Sequence, residues 1–490
     1  MYKTSKLIKT ALILSLFFAV ISCDYLIKEE PDNPDNPNNP TDSVPNNPTD
    51  SIVGTPTDSI PETPTDSIPE TPTDSIPPEE AMSPIAQKIY LETVGIEFLE
   101  YFNQNKFAEL TDLLSYSHST YSNYSWDNVS SWANDIFNGL IENIGMTFET
   151  DSYGNTNHYN NQKILILASN FNSRFVAEGN TWIRHESNNL QFEFKDQNNN
   201  DCILKFYTNG NIKKVHVANF DDWYDEDYNP ANGTYSTYYD RTQLTIGVPE
   251  QIYLVLTCGG KTMLKETLNI DLASITNEKF DFSKSNLNLN TIVEIYNGYK
   301  FELTKASYTP NNIFANIKLS SKGKKLIDIT ASSDITDIPS LNLDELSSEY
   351  FDEDDYDFST ISASNVYAKI DILGKIQVQG VISKANKFIE YIYGAESNNT
   401  DESKFKSYLN QANALTKLYL FYNGTNTIHA SIKLEPFYDS YDDWYYEPVF
   451  VFYDGSSYCS LEAFFYDADF KKLIDRFEQI LEDYSNKFDF

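Results

Sequence analysis

The chain has 490 residues, of which 72 are Asp or Glu and 36 are Lys or Arg, so its formal net charge is −36 at pH 7. Residues 1–22 hold three lysines and no acid, residues 24–82 hold 14 acids and one lysine, and residues 83–490 therefore keep a net charge of −26. A field this negative repels phosphate groups and anionic membrane surfaces. These numbers exclude a nucleic-acid partner and any electrostatic attachment to a membrane.

The N-terminal segment has the pattern of a secretory signal. Three lysines precede a short apolar run over residues 10–20, which falls short of the roughly 20 residues that a membrane span needs. The run ends in Val20-Ile21-Ser22-Cys23, which resembles the lipobox of bacterial lipoproteins. The resemblance implies that residues 1–22 are removed and that Cys23 carries the lipid that anchors the protein in a membrane.

Residues 23–82 have the composition of a disordered stalk. Thirteen of the chain's 20 prolines lie there, and apolar residues are too few to offset the entropy cost of folding. Asp-Ser followed by Val or Ile recurs five times at eight-residue intervals. The tripeptide resembles the O-glycosylation acceptor of Bacteroidota-type envelope proteins, which implies glycans on Ser43, Ser51, Ser59, Ser67 and Ser75. The alternative is a slippage repeat with no chemical role.

Lys28-Glu29-Glu30 lies several residues after the lipid cysteine. It resembles the lysine-plus-two-acids signal that sends such lipoproteins to the cell surface. With the lipobox and the repeats, it gives residues 1–82 a resemblance to Bacteroidota-type cell-envelope lipoproteins. The resemblance implies an exported protein, anchored in the outer membrane by its lipid and facing the cell exterior.

Helical periodicity marks both ends of the remaining chain. Ser83-Pro84 supplies a capping hydroxyl and a proline at the first helical position, and apolar residues at helical spacing follow. A second apolar stripe predicts a helix over residues 126–144. Further candidates are residues 382–392 and 403–416. The broad apolar stripe over residues 470–484 predicts a final helix that docks on the core.

Between these helices the pattern predicts strands. Residues 190–194 alternate with period two, as half-buried strands do. Glycine turns separate short apolar runs at Asn209-Gly210, Gly259-Gly260, Lys322-Gly323, Asn423-Gly424 and Asp454-Gly455. Long crossover helices are missing, so the sequence predicts a large antiparallel meander. The predicted fold class is α+β, with residues 83–490 forming one core or two lobes divided near residues 334–362.

Motifs that carry chemistry are sparse. Cys202, Cys258 and Cys459 lie in apolar contexts and are interpreted as small core residues, with at most one disulfide whose pairing stays open. The chain has no Gly-x-Ser-x-Gly elbow and no His-Glu-x-x-His helix, and its five histidines have no spaced partner. We therefore predict no catalytic residue, no metal and no cofactor.

Three acidic runs are rich in aromatic residues: 220–228, 350–357 and 438–447. In solvated loops, such rings could stack on sugars or contact a protein partner. The alternatives are that the rings fold back onto the sheet, or that the carboxylates hold Ca²⁺. The first and third runs share Asp-Asp-Trp-Tyr, so the candidate ligand-binding residues are Trp223, Tyr224, Trp444 and Tyr445.

Three functions of different classes follow from these observations. The first is a non-catalytic, surface-anchored lipoprotein that binds a glycan or a protein through its aromatic residues. The second is a carrier or sensor of a lipid or another apolar ligand, which requires a deep apolar cavity. The third is a glycan hydrolase, whose paired carboxylates are recognised by their separation in space. The expected partners are the membrane, through the lipid, and a glycan or protein.

Overall fold

A computed structural model describes residues 82–347, 361–438, 443–452, 458–460 and 470–488. The helices in these ranges are α1 (Pro84–Leu99), α2 (Ala108–Tyr121), α3 (Asp127–Gly139), α4 (Leu343–Leu346), α5 (Ala385–Glu396), α6 (Glu402–Leu415) and α7 (Lys471–Phe488). None of the helices in this part of the chain is long and apolar enough to cross a membrane. The described residues belong to one compact unit, Ser75–Phe490.

Eighteen strands of the described chain join in one sheet. They are β1 (Ile141–Thr150), β2 (Thr156–Ile166), β3 (Ser173–Glu178), β4 (Thr181–His185), β5 (Leu190–Lys195), β6 (Asp201–Asn229), β7 (Thr234–Cys258), β8 (Lys261–Ala273), β9 (Asn286–Ile295), β10 (Tyr299–Thr309), β11 (Asn312–Ser321), β12 (Lys324–Thr336), β13 (Ser362–Ile372), β14 (Ile376–Ile382), β15 (Thr416–Tyr422), β16 (Ile428–Tyr438), β17 (Trp444–Phe452) and β18 (Tyr458–Ser460).

From β5 to β18 each strand pairs antiparallel with the next, which is the predicted meander. Two parallel pairings, β2 with β7 and β3 with β5, make the sheet mixed at its N-terminal end. Helices at both ends of the described part of the chain and a mostly antiparallel sheet confirm the α+β class.

The strands β6 and β7 are long enough to leave the main sheet. The residues of β7 nearest its C-terminus pair with β8, whereas residues 236–246 pair with β2, which in turn pairs with β1. The order β1-β2-β7-β6 therefore forms a four-stranded extension, made of β1, β2, residues 212–229 of β6 and residues 234–249 of β7.

The C-terminal helix docks beside the N-terminal helix on the largest apolar cluster. Leu473 and Ile474 of α7 pack there, against a cluster that contains the buried Leu91 and Val94 of α1. A Cβ on Gly95 would lie 2.7 Å from Leu473, so glycine allows the two helices their close approach. The predicted docking of the last helix is confirmed.

Some local predictions were wrong. The helix predicted for residues 126–144 ends at Gly139, and Ile144 lies in β1. Asn209-Gly210 is not a hairpin turn, because β6 continues through it opposite β7 with a register shift between Asn209 and Ile212. Gly210 has φ +84°, and a glycine in this conformation lets a strand bulge without reversing. Helix α2 was not predicted.

Cys202 and Cys258 are joined in a disulfide between β6 and β7. They face each other in the strand register, and Cys202 is buried in a cluster with Leu110 and Leu113 of α2. This assigns the pairing that the sequence left open. The remaining cysteine of residues 83–490 is Cys459, whose side chain lies outside the described part of the chain.

We expect a thiol count to verify this pairing. The protein unfolded without reductant should react with an alkylating reagent at Cys459 and at neither Cys202 nor Cys258. After reduction, all three should react, since an exported protein keeps its disulfide until it is reduced chemically. Peptide mapping by mass spectrometry identifies the labelled sites. Full labelling before reduction would contradict the pairing.

A buried polar network holds the beginning of the described chain. The Gln87 side chain is fully buried, and its Nε2 donates to the carbonyl oxygens of Met82 (2.9 Å) and His429 (3.1 Å). The Tyr422 hydroxyl donates to Gln87 Oε1 at 3.0 Å. The Met82 amide donates to His429 Nδ1 at 3.0 Å, so this nitrogen must be unprotonated. The entry of the chain into the fold thus depends on a neutral histidine.

Stability should decrease as the pH is lowered, because of His429. Burial lowers its pKa, so below about pH 6.5, the ordinary histidine value, the unfolded chain takes up a proton that the folded chain resists. The contribution of neutral His429 is therefore present above that pH and is lost as the pH falls towards the folded pKa. His429→Gln should be less stable than wild type at pH 7.5 but should lose less on acidification. Urea unfolding across pH measures both, and parallel curves would contradict the role of His429.

Candidate binding surface

Four rings form a row across one face of the four-stranded extension. Phe148 of β1, His158 of β2, Tyr238 of β7 and Tyr224 of β6 follow one another with centroid separations of 6.5, 4.7 and 6.1 Å. We call these four residues the aromatic row. Phe148 and Tyr224 at its ends are 73% and 53% exposed. Phe148 lies opposite His158, and His158 opposite Tyr238, in the strand register, and Tyr224 lies beside Tyr238 at the register shift between Trp223 and Asp225.

The rings in the middle of the row stand side by side. His158 and Tyr238 are nearly parallel, with 14° between their planes, so their faces contact each other and their edges point outward. Tyr224 is tilted by 40° from Tyr238 and lies at the end of the row. The outer surface of Tyr224 is therefore open to a ligand at one end of the row, as that of Phe148 is at the other.

Carboxylates surround the Tyr224 end of the row. Asp225 and Asp227 of β6 share this face with Tyr238, and Asp222 lies opposite Asp240 in the register. Asn160 Nδ2 donates to Asp240 Oδ1 at 2.8 Å. Partial burial and the neighbouring Asp227, to which the Tyr238 phenol donates a hydrogen bond, raise the pKa of Tyr238. The end of the row therefore offers several carboxylate acceptors.

One arginine holds the opposite face of the extension together. The Arg241 guanidinium lies 3.6 Å from the centroid of the Tyr159 ring. Its Nε and Nη2 donate to the two carboxylate oxygens of Asp221 at 3.0 and 2.9 Å, and its Nη1 lies 3.5 Å from Glu149. Because these partners belong to β1, β2 and β6, Arg241 of β7 contacts each of the three other strands of the extension.

The first Asp-Asp-Trp-Tyr segment lies within β6 and not in a loop. Tyr224 is exposed and belongs to the aromatic row, as a contact residue should. Trp223 lies opposite Tyr239 in the register, and its side chain is outside the described part of the chain. The run forms a strand here because it pairs with the tyrosine-rich start of β7, with one register shift at Tyr224.

The second Asp-Asp-Trp-Tyr segment has a different environment. Trp444 begins β17, is half-buried, and packs 6.3 Å from Phe405 of α6, with Lys406 Nζ 4.4 Å above its ring. Its amide donates to the Asn399 carbonyl oxygen at 2.7 Å. Tyr445 is exposed and stacks on Phe437. In the meander order, ten strands, β7 to β16, separate β17 from β6.

The remaining sites predicted from sequence lie outside the described residues. They are the lipidation site Cys23, the acidic run over residues 350–357, and the glycosylation sites Ser43, Ser51, Ser59, Ser67 and Ser75.

Chemistry other than binding has little support in the described residues. Asp196, Cys202 and Cys258 bring potential metal ligands within 4.8 Å of one another, but the two sulfurs are bonded to each other. Burial raises the pKa of Glu266, whose hydrogen-bond partner is the Thr291 hydroxyl and not a second carboxylate. A hydrolase would need a pair of carboxylates.

Two open pockets, of about 370 and 390 Å³, lie at the N-terminal end of the sheet. The first is lined by polar side chains that include Arg184 and Glu186, and the second by a mixture that includes Lys163 and Leu165. Neither is the deep apolar cavity that a lipid carrier requires.

Comparisons of the chain with protein-family models, with characterised proteins and with solved structures found no match. The features of the described residues that indicate a function are the aromatic row, the carboxylates around it and the edge of the extension.

Proposed function

We propose that this protein is a non-catalytic binding protein of the cell envelope, held by a lipid on Cys23 and raised from the outer membrane on a stalk. Its ligand is a neutral glycan, which binds at the Tyr224 end of the aromatic row. The observation that carries the proposal is this continuous row of rings on an exposed sheet face, ending beside several carboxylates.

The chemistry of the row matches what a sugar requires. A sugar ring presents an apolar C–H face and a rim of hydroxyls, so it needs an aromatic surface beside hydrogen-bond acceptors. Tyr224 supplies the surface, and Asp222, Asp225 and Asp227 supply the acceptors. The rings of the row are already packed against one another, so little side-chain entropy is lost on binding.

Charge narrows the class of glycan. The Tyr224 end of the row carries four aspartates, whereas the lysine that shares this face, Lys213, lies far along β6, opposite Val248, and pairs with Asp271. Sulfated or uronic-acid polymers would meet like charge and be repelled. Binding of the purified protein to immobilised neutral and acidic glycans, at low and high salt, tests the proposal.

The proposed anchor and stalk rest on the sequence motifs of residues 1–82. A lipid on Cys23 would place the protein at a membrane, and about 60 proline-rich residues could extend well over ~100 Å at 3.1 Å per residue. Glycans on the five repeat serines would keep the stalk extended. Such a stalk carries a binding surface away from the bilayer.

Mass spectrometry of protein from its native host should verify these modifications. The mature N-terminal peptide is expected to begin at Cys23 with added acyl chains, and Cys23→Ala should lose both the cleavage and the lipid. Peptides over residues 40–78 are expected to carry glycan at Ser43, Ser51, Ser59, Ser67 and Ser75. Unmodified masses for either region would contradict that part of the proposal, each independently of the other.

A further inference from the structure

Strand β1 presents an unprotected sheet edge. All ten of its residues are exposed, and within the described chain it pairs with β2 alone. Protein edges are usually protected by lysine, proline or a bulge, because unpaired N–H and C=O groups can capture another strand. β1 contains neither lysine nor proline, and its bulge lies near one end, between Asn143 and Gly145. Residues 145–150 are therefore a regular, open edge.

The two faces of this edge differ in chemistry. Met146 and Phe148 lie opposite Asn160 and His158 on the face of the aromatic row, and they are 67% and 73% exposed. Thr147 and Glu149 alternate with them on the other face. An incoming strand would therefore meet apolar side chains on one face, and a threonine and a carboxylate on the other.

Charge indicates which strand fits this edge. Glu149 has its side chain 65% exposed although it lies near Arg241, and the exposed Glu142 stands at the other end of β1. Arg241 is shared between Glu149 and Asp221, and the chain's own stalk, with 14 acids and one lysine, would add negative charge at this edge. A second copy would bring the same acids and an equal net charge, so self-pairing is disfavoured.

We propose that β1 accepts an extended segment of another protein by strand addition. The segment alternates apolar residues, which contact Met146 and Phe148, with lysines or arginines, which lie on the side of Glu149. This goes beyond glycan binding, because the glycan is placed at the β6 end of the extension and the polypeptide at the β1 edge. The extension would then hold two ligands at opposite edges.

A synthetic peptide tests the proposal on the full-length chain. The probe matches the ten residues of β1 in length and alternates lysine with valine. Two further versions are N-methylated, one at every lysine and one at every valine, and each thus loses the amide donors of one edge. In an added antiparallel strand, the stronger pairing, the amides of alternate residues point to the same edge, so only one of the two sets of amides bonds to β1. One methylated version should therefore bind like the parent, and the other at least tenfold more weakly. Equal binding of all three would overturn the proposal.

Variants of β1 locate the site. Met146→Thr with Phe148→Thr keeps strand propensity but removes the apolar contacts, and we expect peptide affinity to fall at least tenfold. The matched control is Ile313→Thr, another exposed apolar residue on a strand outside the extension, which should bind as wild type does. Peptide addition should also slow hydrogen exchange in β1. Unchanged affinity of the double variant, or a dimer of the free chain formed through β1, would overturn the proposal whatever the result with glycans.

Discussion

Tyr224→Ala is expected to weaken binding of a neutral glycan by at least about thirty-fold, which corresponds to the loss of ~2 kcal/mol that defines a dominant contact residue. Tyr224 carries this weight because it ends the aromatic row with its outer surface free. Its side chain is 53% exposed, so the substitution should change the free energy of unfolding by no more than about 0.5 kcal/mol. Titration calorimetry of wild type and variant against the same glycan measures the effect.

The matched control lies on the same strand. Tyr228 is 55% exposed and contacts Tyr235 on the opposite face of the extension. Tyr228→Ala removes an equal ring at nearly equal exposure, and it should leave glycan affinity unchanged. If both variants bind as tightly as wild type, the aromatic row is not the glycan site. If both lose binding equally, the extension has been disturbed as a whole.

Trp444 differs from Tyr224 because its ring packs against the protein's own core and not at an exposed surface. Because it packs on α6 in a half-buried position, the structure favours a role in stability at this site. The shared Asp-Asp-Trp-Tyr sequence had suggested equal roles for Trp223 and Trp444. Identical local sequences differ here because β6 continues into an exposed extension, whereas β17 lies beneath a helix.

The sequence was most informative where local chemistry determines structure. Ser83 caps α1, with its hydroxyl accepting from the Ala86 amide at 3.3 Å, and Gly259-Gly260 forms the turn between β7 and β8. The meander followed from such turns. The start of β1 was missed because Leu140 and Ile144 continue a helical apolar spacing, and nothing local indicates that β2 will pair with residues 141–150.

The aromatic row could be predicted only in part. Tyr224 was found because it lies in an acidic, aromatic run, but Phe148, His158 and Tyr238 lie in segments without that composition. They meet Tyr224 through the parallel pairing of β2 with β7, which is a long-range contact with no local signal. The tyrosine-rich run over residues 235–239 was the available hint.

Arg241→Lys is expected to loosen the four-stranded extension while the rest of the fold stays intact. Lysine keeps the charge but cannot donate two parallel bonds to Asp221 or stack as a plane on Tyr159. Asp221 has its side chain only 15% exposed, so it loses its best partner in a poorly hydrated place. Removing a fully buried partner costs about 3–5 kcal/mol, and the partial exposure of Arg241 reduces the expected loss to about 2 kcal/mol.

Hydrogen exchange can assign this loss to the extension. Amides of β1 and β2 should exchange faster in Arg241→Lys, and those of β10 to β14 should not change, because local opening reports local stability. Arg174→Lys is the control, since Arg174 makes the same two-pronged pair with Glu193, at 2.6 Å for each bond, on β3 and β5. That variant should leave β1 and β2 unaffected. Glycan and peptide binding should both weaken in Arg241→Lys, because both edges of the extension depend on strands that this guanidinium connects. Unchanged exchange in β1 would mean that backbone pairing alone holds the extension, and that Arg241 is not its connecting residue.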